Sequence, residues 1–319
     1  MKLLKQKLNV GALGMVTIAM VLTGTNAIAL KYASSSMDPL VFASLRALAV
    51  GVILISFVSN YRLIFSRKIL LRLIPGVLLL LLFFSLHALG VSQSGALKAS
   101  VFSLTIPVFV YIFSIVLLHE PLIKRIFLGG IITLVGSMTM VGLPVIFGQA
   151  VVLSDLFLLF AYSCLAGAVI HGKYMFKWLA TNELLSMRFL LAGVLMTGFV
   201  LAYNGPTIFT VGDGGAWLAL LYGIIIVGVG ANTLLYRGLS RLKAEQTAPL
   251  MYLDPMTGAL MATLLLGESL ETSALVGVAI IVIGVIAAFP HHHHLMHNYL
   301  HPHPHRIKRV LHKIMHPLR

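Results

Sequence analysis

Ten stretches of about 20 apolar residues, joined by short polar connections, limit most strongly what this chain can fold into. A helix needs about 20 apolar residues to cross the hydrocarbon core of a bilayer. Only 10% of the residues are charged and the mean hydropathy is +0.99, so the chain has too little polar surface to fold in water. We therefore predict an all-α multi-pass membrane protein with ten transmembrane helices. These helices are expected at about residues 9–30, 39–58, 73–91, 97–118, 126–147, 151–171, 184–203, 215–235, 248–267 and 272–289.

The distribution of basic residues predicts the orientation of the chain in the membrane. With a cytoplasmic N-terminus, both termini and four loops lie inside, together with 19 of the 23 Lys and Arg residues. Only Lys31 and Lys98 fall outside, whereas Arg46 and Arg188 fall within spans. This asymmetry follows the positive-inside rule, so we expect both termini in the cytoplasm and the protein in the plasma membrane. The net charge of +14 is explained by this orientation, and no nucleic-acid partner is expected.

The second half of the chain repeats the first. The segment "KYASSSMDPLVFASLRALAVGV" (31–52) aligns without a gap with "KYMFKWLATNELLSMRFLLAGV" (173–194). Arg46 is thereby matched with Arg188, 142 positions later. Because both copies keep a charged residue within an apolar stretch, the arginine belongs to the repeated unit.

A second pair of segments repeats at a slightly larger offset of 148 positions. The segment "IPVFVYIFSIVLLHEPL" (106–122) matches "DPMTGALMATLLLGESL" (254–270), with a proline and a glutamate 13 residues apart in each. Two glycines then follow at equal spacing in both copies. The matched pairs are Pro107 with Pro255, Glu120 with Glu268, Gly129 with Gly277, and Gly136 with Gly284.

The repeats predict the domain organisation. We expect one five-helix repeat at 9–147, a second at 151–289, and a cytoplasmic tail rich in histidine and basic residues at 290–319. Five is an odd number of spans, so the two repeats must be inserted in opposite orientations. Inverted repeats that enclose a binding site near the bilayer midplane are common in secondary transporters.

The start of the chain also has features of a cleavable signal peptide. A basic leader and an apolar stretch precede Ala27-Ile28-Ala29, a small-residue pattern of the kind that signal peptidases cut. We favour an uncleaved first span, because the stretch is long for a signal core. Cleavage would also leave nine spans and remove the symmetry of the repeats.

At these motifs the chain resembles the EamA-type permeases of the drug/metabolite transporter superfamily. The resemblance rests on "LTGTNAIALKYA" (22–33), on Pro39 followed by "ASLRAL", and on the two proline–glutamate–glycine–glycine signatures, and it extends over about residues 9–289. It implies ten helices in two inverted repeats, a central cavity for small polar or amphipathic metabolites, and export or exchange without ATP. Thr23 and Asp254 depart from the family pattern, which often has an aromatic residue and an uncharged residue at these positions.

Two arginines are candidates for contact with a substrate. A charge at the centre of a membrane helix costs about 2.5–3.5 kcal/mol on insertion scales, so a membrane protein keeps one only for a reason. Arg46 and Arg188 could face a cavity and bind an anionic group. Alternatively, each could donate to helix carbonyls and fix the packing of its repeat.

Asp254 is the only acidic residue placed well inside a predicted span. Burial favours the protonated form of a carboxyl group, as a proton-coupling residue requires. Asp254 could therefore bind substrate or carry a coupling proton. The alternatives are that it pairs with an arginine or caps the helix interrupted by Pro255.

Other polar or helix-breaking residues within or beside the spans form a further set of candidates. Asparagine and tyrosine side chains could hydrogen-bond a substrate, although tyrosines near span ends often anchor the membrane interface. Mid-span prolines could kink cavity-lining helices, and glutamates at span ends could cap helices or act in gating. These candidates are Asn26, Asn232, Tyr111, Tyr222, Tyr252, Pro107, Pro255, Glu120 and Glu268.

The tail raises a separate hypothesis about metal ions. Ten of the 13 histidines lie in the last 29 residues, including four in succession. Neutral imidazoles bind Zn²⁺, Ni²⁺ and Cu²⁺, but no spacing here specifies a closed site of four ligands. The candidate ligands are His291, His292, His293 and His294.

Three functions agree with these observations. The first is a secondary active transporter of small polar or amphipathic metabolites, working by alternating access as an exporter or exchanger, with protons as the expected coupling ion. The second is a transition-metal-ion transporter that uses the tail, and the third is a non-transporting membrane scaffold or sensor. No GxSxG, HExxH or Walker loop occurs, so we expect neither enzyme activity nor a cofactor. A homodimer is a further expectation.

Overall fold

A computed structural model shows that the regular elements among the described residues are all helices. The described residues are 10–58, 61, 65–118, 127–133, 135–136, 139, 153–210, 212–241, 250–269 and 272–288. The α-helices are α1 (Val10–Gly24), α2 (Asn26–Ala33), α3 (Pro39–Ile55), α4 (Arg67–Ser94), α5 (Ala96–Ser103), α6 (Ile106–Leu118), α7 (Leu153–Met175), α8 (Thr181–Asn204), α9 (Gly214–Tyr222), α10 (Asn232–Leu239), α11 (Leu253–Leu266) and α12 (Thr272–Ala288). Short 3₁₀ turns lie at Pro206–Thr210 and Leu250–Tyr252, and a π-helix joins α9 to α10 at Gly223–Ala231.

Six helical segments among the described residues are long and apolar enough to cross a membrane. They are Val10–Ala33, Arg67–Ser94, Ala96–Phe113, Leu153–Met175, Thr181–Asn204 and Gly214–Gly238. Shorter apolar helices lie at Pro39–Ile55, Leu253–Leu266 and Leu275–Gly284. The prediction of an all-α chain with several apolar spans is confirmed. The number of ten spans and the orientation of the termini stay predictions.

Large apolar side chains are exposed on the outside of the molecule. Leu218 is 69% exposed, Leu264 66% and Phe199 64%. A soluble monomer rarely exposes apolar surface on this scale, whereas a bilayer covers it without cost. The exposed surface therefore agrees with helices that contact lipid.

Within the described residues, two of the predicted spans are interrupted. The first is broken at Thr25, between α1 and α2, and the fourth at Leu104 and Thr105, between α5 and α6. Pro107 is the second residue of α6, a position that needs no backbone N–H donor, and proline disfavours helical geometry just before it. These breaks place short helix ends inside the molecule, where their polar groups can line a cavity.

Two described helices begin with an aspartate at the N-cap. Asp38 accepts hydrogen bonds from the backbone N–H groups of Leu40 at 2.8 Å and Val41 at 3.1 Å, and so caps α3, the helix that carries Arg46. Asp213 caps α9 by accepting from Ala216 N at 2.7 Å. This backbone hydrogen bond, followed by one from the Ser36 hydroxyl, lowers the pKa of Asp213.

Helices α3 and α8 cross at two glycines that occupy equivalent positions in the repeats. A Cβ atom on Gly51 would overlap the backbone of Leu190, and a Cβ atom on Gly193 would overlap the backbone of Leu48. Gly51 and Leu48 lie 142 positions before Gly193 and Leu190. Each repeat therefore uses its glycine to receive the equivalent leucine of the other, as a two-fold relation requires.

The same reciprocity occurs between residues 127–139 and α12. A Cβ atom on Gly136 would lie 2.9 Å from the carbonyl oxygen of Gly277, and one on Gly284 would lie 2.8 Å from the carbonyl oxygen of Gly129. These pairs are 148 positions apart. Two independent crossings thus obey the same approximate two-fold relation between the halves of the chain.

Candidate functional site

Residues from both halves of the chain enclose a cavity of about 150 Å³. The interrupted helix ends contribute to its walls, as do α3, α4, α7, α8, the π-helix, α10 and α11. Its polar lining consists of Thr23, Asn26, Arg46, His87, Ser100, Ser103, Tyr162, Arg188, Asn232, Tyr236 and Asp254. Its aromatic lining also includes Phe83, Phe84 and Phe189.

Arg46 lies on α3 and is 7% exposed. Its Nη1 donates a hydrogen bond to Oδ1 of Asn26, and its Cζ lies 5.5 Å from the centre of the Phe84 ring. Its Nε is buried without a hydrogen-bond partner. The side chain passes Gly223, where a Cβ atom would come within 3.3 Å of Cδ of the arginine. The arginine is thus held by one side-chain amide and one aromatic face, and part of its guanidinium remains unused.

Arg188 lies on α8 and is fully buried, with 0% exposure. Its Nη2 donates to the carbonyl oxygen of Ala168 at 2.6 Å, while Nε and Nη1 are buried without hydrogen-bond partners. Glycines make room for the guanidinium: a Cβ atom on Gly76 would lie 3.1 Å from Nη2, and one on Gly172 would lie 2.9 Å from Nη1. The Tyr236 ring lies on the same side as Gly172.

The partners of the two arginines are themselves equivalent. Asn26 lies 20 residues before Arg46, and Ala168 lies 20 residues before Arg188. The first repeat provides an amide side chain at this position, whereas the second provides only a main-chain carbonyl. The structural interpretation therefore has a physical basis in Arg188, which donates to a helix carbonyl. The functional interpretation has one in Arg46, which does not.

Asp254 is the second residue of α11 and lies directly before the buried Pro255. Thr23 of α1 lines the same cavity, with its hydroxyl donating to the carbonyl oxygen of Met20 at 3.1 Å. Among the described residues the ion pair is Lys98 with Asp155 at 3.2 Å, so Asp254 forms no ion pair with either cavity arginine. Its place in the first helical turn is favourable for a negative charge. Because Asp254 forms no ion pair among the described residues, its carboxyl group is available to a ligand or a proton in the cavity.

Sequence reasoning missed His87 and Tyr162. These two rings meet edge to face at 5.7 Å, and His87 also lies 5.1 Å from the Phe83 ring. His87 is one of only three histidines outside the tail and lies inside an apolar stretch, which is a signal that could have found it. Tyr162 carries no comparable signal, because only the fold brings α7 against α4.

The other candidates divide between the cavity and its surroundings. Asn232 lines the cavity and donates from Nδ2 to the carbonyl oxygen of Val227 at 3.0 Å, and both Pro107 and Pro255 are lining residues. Tyr222 lies outside the lining, with its hydroxyl 2.6 Å from that of Thr25. The lining does not include Tyr111 either. Glu120, the side chain of Tyr252, and His291, His292, His293 and His294 lie outside the described residues.

Glu268 connects the two repeats away from the cavity. Its carboxylate accepts hydrogen bonds from Ala96 N at 3.1 Å and Leu97 N at 2.7 Å, and so caps α5. Gly95 precedes α5 with a φ of 95°, and Gly267 precedes Glu268 with a φ of 66°. Such left-handed geometry favours glycine, so both glycines help to bring the carboxylate onto the helix end. The predicted capping role of Glu268 thus acts on a helix of the other repeat.

Metal ligands do not cluster in the part of the chain that the structure describes. Within it, no group of three or more His, Cys, Asp or Glu side chains could hold a metal ion. The Nε2 atom of His171 lies 3.0 Å from the carbonyl oxygen of Arg72, to which it can only donate. A neutral His171 then has its lone pair on Nδ1, which is buried without a partner beside Arg188.

No curated protein matches the chain. Among solved structures 17 chains match; one, described as "Crystal structure of protein", has a TM-score of 0.62 at 16% identity, over 87% of this chain and 96% of its own. This likeness shows a shared fold. The sequence model of the EamA-like transporter family matches twice, at residues 10–142 and 152–289. Since these matches cover both halves, this chain belongs to the EamA-like transporter family.

Proposed function

We propose that this protein is a secondary active transporter that carries small polar or amphipathic metabolites by alternating access. The observation that carries the proposal is a cavity lined by two arginines and one carboxyl group inside an apolar helical protein of a transporter family. Buried charges without ion-pair partners are costly, and a substrate that passes through the cavity can compensate them.

The proposed architecture has ten helices in two inverted repeats, with both termini in the cytoplasm. The reciprocal glycine crossings support it, because they relate the halves by an approximate two-fold. Rocking of one repeat against the other would expose the cavity first to one side of the membrane and then to the other. The breaks at Thr25 and before Pro107 would supply short segments that can move separately.

The cavity residues have distinct proposed roles. Arg46 contacts the substrate, since part of its guanidinium is unused, whereas Arg188 mainly fixes the packing around Ala168. Asp254 carries the coupling proton, and Asn26 and Asn232 orient neighbouring groups. Glu268 closes one end of the protein by capping α5. Export or exchange is the proposed direction.

Flux through reconstituted vesicles tests this function. Purified protein should give saturable uptake of at least one compound from a metabolite panel, with a dependence on a proton or substrate gradient. Arg46→Ala and Asp254→Asn should lower the flux at least about tenfold, the loss expected for a charge-assisted contact. Amounts of folded protein in the membrane should stay equal.

Two variants outside the cavity serve as matched controls. Arg67→Ala removes a guanidinium at the exposed start of α4, and Asp213→Asn removes a carboxylate but keeps a good N-cap. Both should retain flux. Equal losses in controls and cavity variants, or no flux for any compound, would contradict the proposed function.

A further inference from the structure

The free edge of the Arg46 guanidinium points to the charge of the substrate. A guanidinium binds a carboxylate most strongly through two parallel N–H groups on one edge. In Arg46 the hydrogen bond to Asn26 uses Nη1, which lies on the far side from the edge formed by Nε and Nη2. Nε is buried without a hydrogen-bond partner, and no hydrogen bond among the described residues uses Nη2. Asn26 therefore orients the arginine and leaves both donors of the Nε–Nη2 edge without a hydrogen bond.

Arg188 does not offer the same edge. Its Nη2 is already bound to the carbonyl oxygen of Ala168 at 2.6 Å. The remaining donors, Nε and Nη1, do not lie on a common edge, so they cannot hold both oxygens of one carboxylate. Of the two cavity arginines, Arg46 alone keeps both Nε and Nη2 without a hydrogen bond among the described residues.

The charges of the cavity lining add to this argument. The lining contains two permanent cations, Arg46 and Arg188, and one carboxyl group, that of Asp254. The lining thus has at least one positive charge in excess, whatever the protonation of Asp254. A monoanionic ligand would neutralise this excess, whereas a zwitterion would leave it and a cation would increase it.

The size and the walls of the cavity define the rest of the ligand. A dry cavity of about 150 Å³ in an engineered protein holds benzene, and this cavity has the same volume of about 150 Å³. Phe84 lies 5.4 Å from both the Phe83 ring and the Phe189 ring, and it also lies under the Arg46 guanidinium. A ring or compact apolar group next to a carboxylate would meet this aromatic wall.

We propose that the transported substrate is a small organic monoanion, with a carboxylate on the Nε–Nη2 edge of Arg46 and a compact apolar or aromatic body against Phe83, Phe84 and Phe189. This inference rests on the proposed function and specifies its substrate class. Binding and flux can nevertheless be measured separately.

Four probes with a shared ring and different charges test the proposal. They are benzoate, benzyl alcohol, benzylamine and L-phenylalanine, each titrated calorimetrically into the purified full-length protein in lipid nanodiscs. Benzoate should bind tightest, by at least about tenfold, because it alone is a monoanion. The proposed substrate class would be overturned if another probe bound tightest or if no probe bound, even if the vesicles transport another compound.

Variants connect the binding to the proposed edge. Arg46→Lys keeps the charge but loses the edge, so benzoate should bind about tenfold more weakly, and Arg46→Ala should bind weaker still. Asp254→Asn should strengthen benzoate binding by removing repulsion, whereas Arg67→Ala should leave it unchanged. Full benzoate affinity in folded Arg46→Lys would refute the two-donor contact. Anion binding without flux would instead contradict only the transport proposal.

Discussion

Single glycines set how closely the helices of this protein approach each other. At Gly193 the nearest atoms to an added Cβ belong to the backbone of Ala47 and Leu48, which cannot rotate away. At Gly198, also on α8, an added Cβ would meet nothing within 4 Å. The same residue type on the same helix thus has two different roles, and only the first depends on packing.

Gly193→Ala should therefore destabilise the protein. We expect a loss of about 1–3 kcal/mol, typical of overpacking, because α3 would have to move away from α8. Thermal unfolding followed by size-exclusion chromatography in detergent measures the change. Gly198→Ala is the matched control: it brings the same gain in helix propensity without a clash and should unfold at or above the temperature of the parent protein. Equal stability of the two variants would mean that the crossing adapts more easily than the geometry indicates.

The sequence could predict some of these residue roles but not others. The repeat alignment pointed to Arg46 and Arg188, and both line the cavity. The alignment could not separate their roles, because the partner of Arg188 is a main-chain carbonyl, which has no sequence signature. Tyr222 was an equally reasonable candidate, yet its hydroxyl meets Thr25 instead.

At the scale of elements, helix ends carry the polar contacts that join the two repeats. The carboxylate of Glu268 meets the first N–H groups of α5, which have no partner within their own helix. Apolar length and the proline positions made the helices predictable. The π-helix at Gly223–Ala231 was not predicted; Val50 packs against Gly228 within it, a contact between distant parts of the chain that apolar length does not reveal.

Replacing Glu268 should loosen this junction. Glu268→Ala removes the cap from α5 and should cost about 0.5–2 kcal/mol of stability, whereas Glu268→Gln keeps one acceptor and should cost less. In a background with Cys164→Ala, a Ser103→Cys probe in the cavity should also react faster with a soluble maleimide after Glu268→Ala. Unchanged stability and unchanged labelling would show that the contact neither caps the helix nor restricts access.

At the scale of the whole molecule, two copies of one unit form a single cavity. The reciprocal crossings at 48–51 with 190–193, and at 129–136 with 277–284, were not foreseen, although the internal repeat that generates them was. A two-fold between units with an odd number of spans turns one unit upside down in the membrane. The proposed repeats of five spans each would therefore be inserted in opposite orientations.

Labelling of single cysteines in intact cells tests that topology. In a background with Cys164→Ala, Ser35→Cys and Asn204→Cys should react with an impermeant maleimide added outside, since both positions are exposed and predicted to be extracellular. Ser240→Cys, also exposed, should react only after the cells are permeabilised. Reaction of Ser240→Cys in intact cells would place residue 240 outside the cell and refute the inverted arrangement.

The unequal anchoring of the two arginines has a consequence for how such a protein can diverge. The hydrogen bond to Arg188 comes from a main-chain carbonyl, so it requires no particular side chain at position 168 beyond one that fits this buried site. The hold on Arg46 depends on one amide, and any exchange at Asn26 would set that guanidinium in a new direction. Substitutions at position 26 can thus change the substrate contact of the first repeat, while the contact of Arg188 in the second repeat is kept.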